Sequence, residues 1–390
     1  MLLKRPRILM VERRERADFS LDSLLSGGAG LARRQAWMAL APHLDAEVEV
    51  QLDDLSVIDA LSPDTPCPRA GLDARFGAAR IDALVASGLL IGDHDAHAAL
   101  REREHVLGAT AWWPPAAVAH ALGRWDGVDI AADEVRLGRV SLAQLLQDHG
   151  PPPVEAESLR PPASWLTLPA ASSGPLDALL RQRASCRNFI GDAHIPLADL
   201  STTLHRVFGA QASQELAPGA VMLKKNSPSG GGLHPMDAYV LAQRVDGLEP
   251  GLYHYVCTEH VLEALRVVGV AEIEALAHEL VAGQAWFANA PVLVLMAARF
   301  QRNFWKYRRH AKAWKVILLD AGHLSQNFQL SATEQGYGTF VTGAINDRCA
   351  ERLFEFDGLS TGAILVCGMG RRAAELATIE FDPLGLAPRG

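Results

Sequence analysis

Hydrophobic positions change their period along the 390-residue chain, and the changes divide it into blocks. Residues 7–12 (RILMVE) and 47–52 (EVEVQL) read as strands, the second because Val48 and Val50 alternate with charged neighbours. From Asp54 onward Leu55, Ile58 and Leu61, then Leu72 and Phe76, then Ile81, Leu84, Val85 and Leu89 fall three and four residues apart. That spacing predicts three short helices, broken between Pro63 and Pro68 and again at Gly77. Residues 94–147 keep a helical tendency and hold Trp112, Trp113 and Trp125, which are expected to bury area between packed units. The pattern then lapses through Gly150–Pro153, Pro161, Pro162 and the stretch from Ala170 to Gly174, a proline- and serine-rich linker. Beyond it the spacing predicts helices over 176–183, 197–208, 273–280, about 309–335 and 348–354. Strands are expected at 238–242, 292–297, 338–345 and 363–367, with a hairpin over 252–265.

These blocks predict an α+β architecture in four parts. Residues 1–110 have the strand and three-helix order of a winged helix-turn-helix unit, 111–147 form a helical connector and 148–175 the linker. Residues 176–390 build a central mixed sheet with helices on both faces. The N-terminal unit is a poor nucleic-acid binder, since AARIDALVASGLLIG offers Arg80 and Asp82 and little else to a phosphate. Uptake of an extended peptide by strand addition suits it better, and a purely structural cap is the alternative.

Composition narrows the partners. A net charge of −8 and a pI near 6.0 exclude a general nucleic-acid or anionic-membrane binder. The 49% hydrophobic and 21% charged content is that of a globular protein with sizeable cores. No uninterrupted apolar run is long enough for a transmembrane helix, and the N-terminus lacks the pattern of a signal peptide. The five cysteines are scattered without CxxC spacing, so a cytoplasmic protein with reduced thiols is expected. His94, His97, His105 and His120 are too loosely spaced for a metal site and are expected at the surface or at helix caps.

Chemistry concentrates in the second half. Asn226–Tyr239, NSPSGGGLHPMDAY, sets three glycines after a Ser-Pro-Ser turn and leaves through His234-Pro235 into a strand. Gly230, Gly231 and Gly232 allow close backbone approach to a bound phosphate or flat polar ring, or else form a flexible surface loop. Arg183, Ser185 and Arg187 recur at every second residue, which in an extended segment puts them on one side. Gly368-Met369-Gly370-Arg371-Arg372 closes a strand with two more arginines, and Thr342-Gly343 interrupts an apolar strand. Neither GxxxxGK[ST] nor a strand-to-helix GxGxxG occurs, which removes the P-loop and the Rossmann site.

Taken in order, RxSxRxF, SPSGGGLHPMDAY, GLYHY, WKY with ILLDAGHLSQN, and GYGTFVTGAI resemble the nitroreductase-fold FMN enzymes. Within them the series is most similar to the SagB-type peptide dehydrogenases of ribosomal peptide maturation. The resemblance spans roughly residues 176–372. It implies that Arg183, Ser185 and Arg187 contact FMN, with Arg371 or Arg372 completing the phosphate site. It implies that Pro228, Ser229, Gly230 and Gly231 lie against the flavin, that His234 closes this loop, and that the backbone of Thr342-Gly343 reaches the ring. Gly232 and His234 stand where classical nitroreductases often carry asparagine and glutamine, a departure toward the peptide dehydrogenases.

Lys306 and Tyr307 match a lysine-tyrosine pair of the azoline-oxidising members. Aromatising a thiazoline or oxazoline removes a proton from Cα and a hydride from Cβ, so a base must face the substrate while the flavin accepts the hydride. A lysine serves there only where burial or neighbouring cations favour its neutral form, and Arg308, Arg309, Lys312 and Lys315 crowd this one. The expectation is an FMN-dependent dehydrogenase that oxidises azolines of a precursor peptide, with molecular oxygen reoxidising the flavin. A cyclodehydratase acting first, a homodimer, and no metal, nucleic-acid or membrane partner complete it. Desaturation of an unmodified residue, reduction of a small molecule, and a flavin-free docking protein are the alternatives.

Overall fold

The computed structural model describes residues 1–136 and 142–388. Short strands β1 (Leu2–Lys4), β5 (Cys67–Pro68) and β6 (Ile91–Gly92) form a small sheet in the order β5-β1-β6. Strands β2 (Met10–Phe19), β3 (Leu31–Ala41) and β4 (Ala46–Val50) form a second, antiparallel sheet, with helix α1 (Leu21–Leu25) in the β2–β3 connection. The three expected helices are α2 (Leu52–Asp59), α3 (Arg69–Phe76) and α4 (Ala78–Ala86). Val57, Ile58, Leu72, Ile81 and Leu84 from them bury against Leu3, Leu89 and Leu90, so the three-and-four spacing marks the inner face. The first strand starts later and runs longer than expected. Its outer half projects from the core, and cross-strand pairs such as Arg34 with Asp18 and Glu49 hold it.

Helices α5 (Ala98–Thr110), α6 (Pro114–Gly123), α7 (Ile130–Arg136) and α8 (Leu142–His149) follow. Residues 150–174 run over the surface, almost wholly exposed, with one short 3₁₀ turn at Pro162–Ser164. The C-terminal unit then runs α9 (Pro175–Gln182), β7 (Ile195–Pro196), α10 (Leu197–Phe208), β8 (Ala212–Ala217), β9 (Ala220–Lys224), β10 (Met236–Ala242), β11 (Val245–Asp246), β12 (Gly251–Val256) and β13 (Val261–Val267). It continues through α11 (Val270–Leu280), α12 (Ala285–Ala288), β14 (Val292–Arg299), α13 (Phe300–Tyr307), α14 (Ala313–Glu334), β15 (Gly338–Thr342), α15 (Asp347–Phe354) and β16 (Thr361–Gly370).

Its six-stranded sheet has the order β13-β12-β10-β14-β16-β15. Every neighbouring pair is antiparallel, so the mixed sheet expected from the sequence is corrected. The physical reason lies in one crossover. β14 and β15, joined through α13 and α14, point the same way, but β16 inserts between them in the opposite direction. The parallel contribution is an isolated bridge between Ser185 and Thr339. Both faces are covered as expected. Val240, Val292 and Val294 pack toward α10 and α14, while Leu241, Leu293 and Leu295 pack toward α11, α12 and α15.

The two units share a core. Ile8, Met38, Leu40, Leu107, Ala116 and Trp112 belong to the same buried cluster as Phe300, Phe304 and Ile317. Trp112 is the centre of this seam: its ring lies 4.6 Å from Phe300 and 4.8 Å from Phe304, and its indole N–H donates to the Leu359 carbonyl at 2.8 Å. Trp113 is half-buried and Trp125 exposed, so only one of the three tryptophans fully meets the interface expectation. Charges reinforce the seam. Asp45, in the β3–β4 turn, takes Arg103 at 2.5 Å and also Arg124, whose other arm reaches Glu351 on α15 at 2.6 Å.

His97 stands at the N-cap of α5, one of the two places expected, and is buried there, whereas His120 is buried rather than at the surface or a cap; each ring fills a polar need inside the fold. His97 Nδ1 accepts the Gly92 N–H at 2.9 Å, and His120 stacks on Trp112 while its Nε2 meets the Gly358 carbonyl at 2.9 Å. Burial pushes the His120 imidazole down to about 3. Below its unfolded value of about 6.5 the unfolded chain takes a proton that the folded ring refuses, so stability falls with falling pH. Going from pH 7 to about pH 4.5 should cost roughly 2–3 kcal/mol through this ring. Urea unfolding at both pH values should show that loss reduced in His120→Gln.

Among the described residues no group of histidine, cysteine and carboxylate side chains could hold a metal ion. No helix among them is long and apolar enough to cross a membrane.

Candidate active site

The glycine loop is built against α14. Ser229 Oγ donates to Asp320 Oδ2 at 2.5 Å, and the Gly230 N–H donates to Asp320 Oδ1 at 3.2 Å. The His234 N–H in turn donates to Ser229 Oγ at 2.9 Å. A single buried carboxylate thus fixes both ends of the turn. Burial raises the Asp320 pKa and the Ser229 and Gly230 hydrogen bonds pull it back. Sequence reasoning left Asp320 without a role. Its signal was present as an acid on the apolar face of a helix, where it must find N–H or O–H donors.

The triplet has a packing reason as well as a conformational one. Gly231 and Gly232 take φ of 66° and 70°, left-handed values that favour glycine. A Cβ on Gly230 would lie 2.1 Å from Val316 Cγ1 on α14. A Cβ on Gly231 would lie 2.9 Å from both Lys306 Nζ and Tyr307 Oη. The bare backbone of the loop is therefore the surface on which the lysine-tyrosine pair rests. Gly231→Ala should cost about 1–2 kcal/mol in chemical denaturation from the backbone alone. At Gly343 a Cβ meets nothing within 4 Å, and Gly343→Ala should stay within about 0.5 kcal/mol of the parent.

Lys306 and Tyr307 end a separate short helix, α13, and the long helix α14 begins at Ala313 rather than near residue 309. The chain breaks at Arg308 and Arg309, where Arg309 has φ 39° and its N–H donates to the Ala111 carbonyl at 2.9 Å. Asn303 on α13 clamps the break by donating to the Ala313 carbonyl at 2.8 Å. Lys306 is exposed and Tyr307 half-buried, with the ammonium 5.5 Å from the phenol ring. Arg308, Arg309 and Lys312 are exposed too, so the crowding expected of them is solvated.

Arg183 reaches α14 two residues from the loop's own anchor. Its Nη1 donates to Gln329 Oε1 at 3.2 Å, while Asn327 Nδ2 donates to Ser227 Oγ at 2.7 Å. Ser185 is half-buried beside Thr339, and the Arg187 N–H donates to Glu380 at 2.5 Å. The two terminal arginines differ sharply. Arg372 is 1% exposed, paired with the equally buried Glu380 and donating to the Ala184 carbonyl at 2.7 Å. Its guanidinium is consumed inside the fold, and Arg371, exposed, keeps its side chain for solvent or ligand.

His234 has φ 46° and is half-buried; burial, helped by Lys225 and Arg302, pushes its imidazole down to about 4. It is neutral near pH 7 and suits a neutral polar partner. Pro228 is exposed at the loop's start. Thr342 and Gly343 answer to other partners: Thr342 Oγ1 accepts the Ala344 N–H at 3.2 Å, and Gln284 bridges to the Ala344 carbonyl at 2.7 Å. The space beside Gly343 is open.

Residues 180–371 match the sequence model of the Nitroreductase family. In this stretch the chain is similar to that family. Members of that family are generally flavin-dependent. The Methanocaldococcus jannaschii protein MJ1384, named as a nitroreductase, is 28% identical over 185 residues, covering 47% of this chain and 85% of its own length. The trifolitoxin-processing protein TfxB of Rhizobium leguminosarum bv. trifolii is 26% identical over 136 residues, 35% of this chain. That alignment spans only 36% of TfxB. Among solved structures, a chain of the E. coli microcin synthetase McbBCD complex, with truncated pro-MccB17 bound, aligns with a TM-score of 0.50 at 20% identity. The alignment covers 68% of this chain and 92% of that one, and extends the shared fold beyond the matched stretch.

Proposed function

We propose that the protein is an FMN-dependent dehydrogenase that oxidises thiazoline or oxazoline residues of a ribosomally made precursor peptide to azoles. The observation that carries this reading is the position of Lys306 Nζ and Tyr307 Oη, each 2.9 Å from where a Cβ on Gly231 would lie. A base and a phenol beside the loop that would back a flavin are what Cα deprotonation requires. Similarity to a protein named for processing trifolitoxin, and a fold shared with a chain of a synthetase complex that has truncated pro-MccB17 bound, support a peptide substrate.

Arg183, Ser185 and exposed Arg371 would hold the FMN phosphate, and Arg187 would approach from the same segment. The loop from Pro228 to Gly231 would back the ring. Neutral His234 would close the loop against it, and the open backbone at Thr342-Gly343 would offer its N–H groups. The open space at Gly343 is a feature that fits such a group. Bound there, FMN would supply the acceptor for the hydride lost from Cβ, with molecular oxygen as the final oxidant. Lys306 would take the Cα proton as its free amine once a bound substrate buries it, and Tyr307 would orient it and pass the proton outward.

The N-terminal unit, read as winged-helix-like, would hold the precursor. The outer edge of β2 pairs with no strand among the described residues, which suits strand addition. Exposed Leu318 and Leu319 on α14, and Leu176 and Leu180 on α9, suit a second copy of the chain as partner. A cyclodehydratase would supply the azoline.

The test is direct. Protein purified with FMN should absorb near about 450 nm and convert a synthetic thiazoline peptide to a product lighter by about 2 Da. A colourless protein that takes up no FMN would sink the reading. Flavin uptake with desaturation of an unmodified peptide, or with reduction of a nitroaromatic alone, would replace the azoline by that substrate.

A further inference from the structure

Beside the glycine loop lies a cavity of about 490 Å³ that none of the residues discussed above explains. Met222, Leu233, Arg299, Arg302, Trp305 and Thr361 give it its character, and no acidic side chain lines it. It begins where the loop ends. Met222 Cε would lie 3.0 Å from a Cβ on Gly232, and Leu233 is the next residue in the chain.

Two guanidinium groups face this space. Arg299, at the N-cap of α13, is drawn partly away by Asp237 at 2.6 Å. Arg302 donates Nε to the Leu233 carbonyl at 2.5 Å, which fixes its plane, and forms no ion pair among the described residues. Half-buried beside a like charge, Arg302 is held below its ordinary pKa by burial first and Arg299 second. Asp237 acts on this cation without pairing with it, its ion pair being with Arg299, and the fork of an arginine is shaped to take a carboxylate through two N–H groups.

Helical geometry ties the cavity to the reacting pair. Arg302 and Lys306 stand four residues apart on one face of α13, about 6 Å along its axis at about 1.5 Å per residue. An extended peptide covers that distance in about two residues at about 3.3 Å each. Trp305, 65% exposed, lines the same cavity and offers it a flat apolar wall.

We propose that this cavity binds a carboxylate side chain of the peptide substrate, about two residues from the residue that faces Lys306 and Tyr307. The assignment rests on the peptide reading above, and it makes Arg302 the chief determinant of sequence preference around the modified position.

The experiment uses the full chain and two fluorescein-labelled heptapeptides, Gly-Gly-Ser-Gly-Asp-Gly-Gly and the same sequence with asparagine for aspartate. Fluorescence anisotropy should show the aspartate peptide binding about tenfold more tightly, the increment of a charge-assisted bidentate contact. Arg302→Gln should bring the two within about twofold. Arg302→Lys, which keeps the charge and loses the fork, should retain an intermediate preference; this guards against a mere folding defect in the first variant. Equal affinities in the parent protein, a preference that survives Arg302→Gln, or no binding of the aspartate peptide up to about 1 mM would overturn the proposal. The binding preference is independent of turnover. If it holds while thiazoline peptides go unoxidised, the cavity assignment stands and the azoline reading falls.

Discussion

Lys306→Ala should lower kcat for a thiazoline peptide by about 10²–10⁴-fold, the usual contribution of one positioned acid-base group. FMN uptake should be unchanged, since the phosphate is assigned to Arg183, Ser185 and Arg371 on other elements. Thermal stability should also hold, because the Lys306 side chain is exposed and forms no ion pair among the described residues. Tyr307→Phe should cost less, about tenfold, if the phenol orients the ammonium and the lysine remains. Stopped-flow spectroscopy separates the outcomes by following flavin bleaching under anaerobic conditions. Loss of bleaching with unchanged peptide affinity locates the defect in proton removal. Unchanged bleaching in Lys306→Ala would remove the lysine from the chemistry and leave it as a support for the glycine loop.

The second large effect is expected at Glu380, a residue with no regular element around it. Its side chain is fully buried against Arg372, itself 1% exposed. Oε1 also accepts the N–H of Arg187 at 2.5 Å, the N–H of Asn188 at 3.0 Å and Asn188 Nδ2 at 3.0 Å. Glu380→Ala leaves a buried guanidinium without its partner, and breaking such a pair costs about 3–5 kcal/mol. Urea unfolding should record that loss. Because the same carboxylate holds residues 187–188, FMN should also be retained less tightly. The Arg372→Met, Glu380→Leu double variant should recover the part of the loss due to the unpaired guanidinium, but not the part due to the Arg187 and Asn188 donors that Glu380 also satisfies. Failure of the single variant to destabilise would mean that the C-terminal tail does not bind as described. The ordering of the donors around Glu380 holds its carboxyl below the usual range, although burial acts the other way. The stabilisation it gives is therefore present above about pH 4.5, where the unfolded carboxyl is ionised, and fades as pH falls through the lower folded value.

Much of the architecture was legible because it depends on local pattern. The three-and-four spacing from Leu55 to Leu89 marks three helices whose apolar residues fill one core. The span 197–208 begins and ends as its periodicity says, and the linker of prolines and serines lies exposed. The hairpin β8–β9 escaped notice because it is exposed along almost all its length, so burial leaves no alternating signature on it. Strand direction in the main sheet was likewise not legible. It depends on β16 entering between β14 and β15, a choice made by packing among segments far apart in sequence.

At the site the division is sharper. By itself the sequence determined which residue types were available: a glycine triplet after Ser-Pro-Ser, alternating arginine and serine, and a lysine-tyrosine pair. Tertiary structure decided how they are used. It buried Arg372 against Glu380 and left Arg371 exposed, a distinction that two adjacent arginines on an alternating strand end cannot reveal without knowing which side is inside. It gave Asp320 the task of pinning the loop, because a buried carboxylate must collect donors and the nearest ones came from Ser229 and Gly230, about ninety residues earlier. Finally it set Lys306 and Tyr307 against Gly231, since only a residue without a Cβ lets both side-chain tips come that close to the backbone.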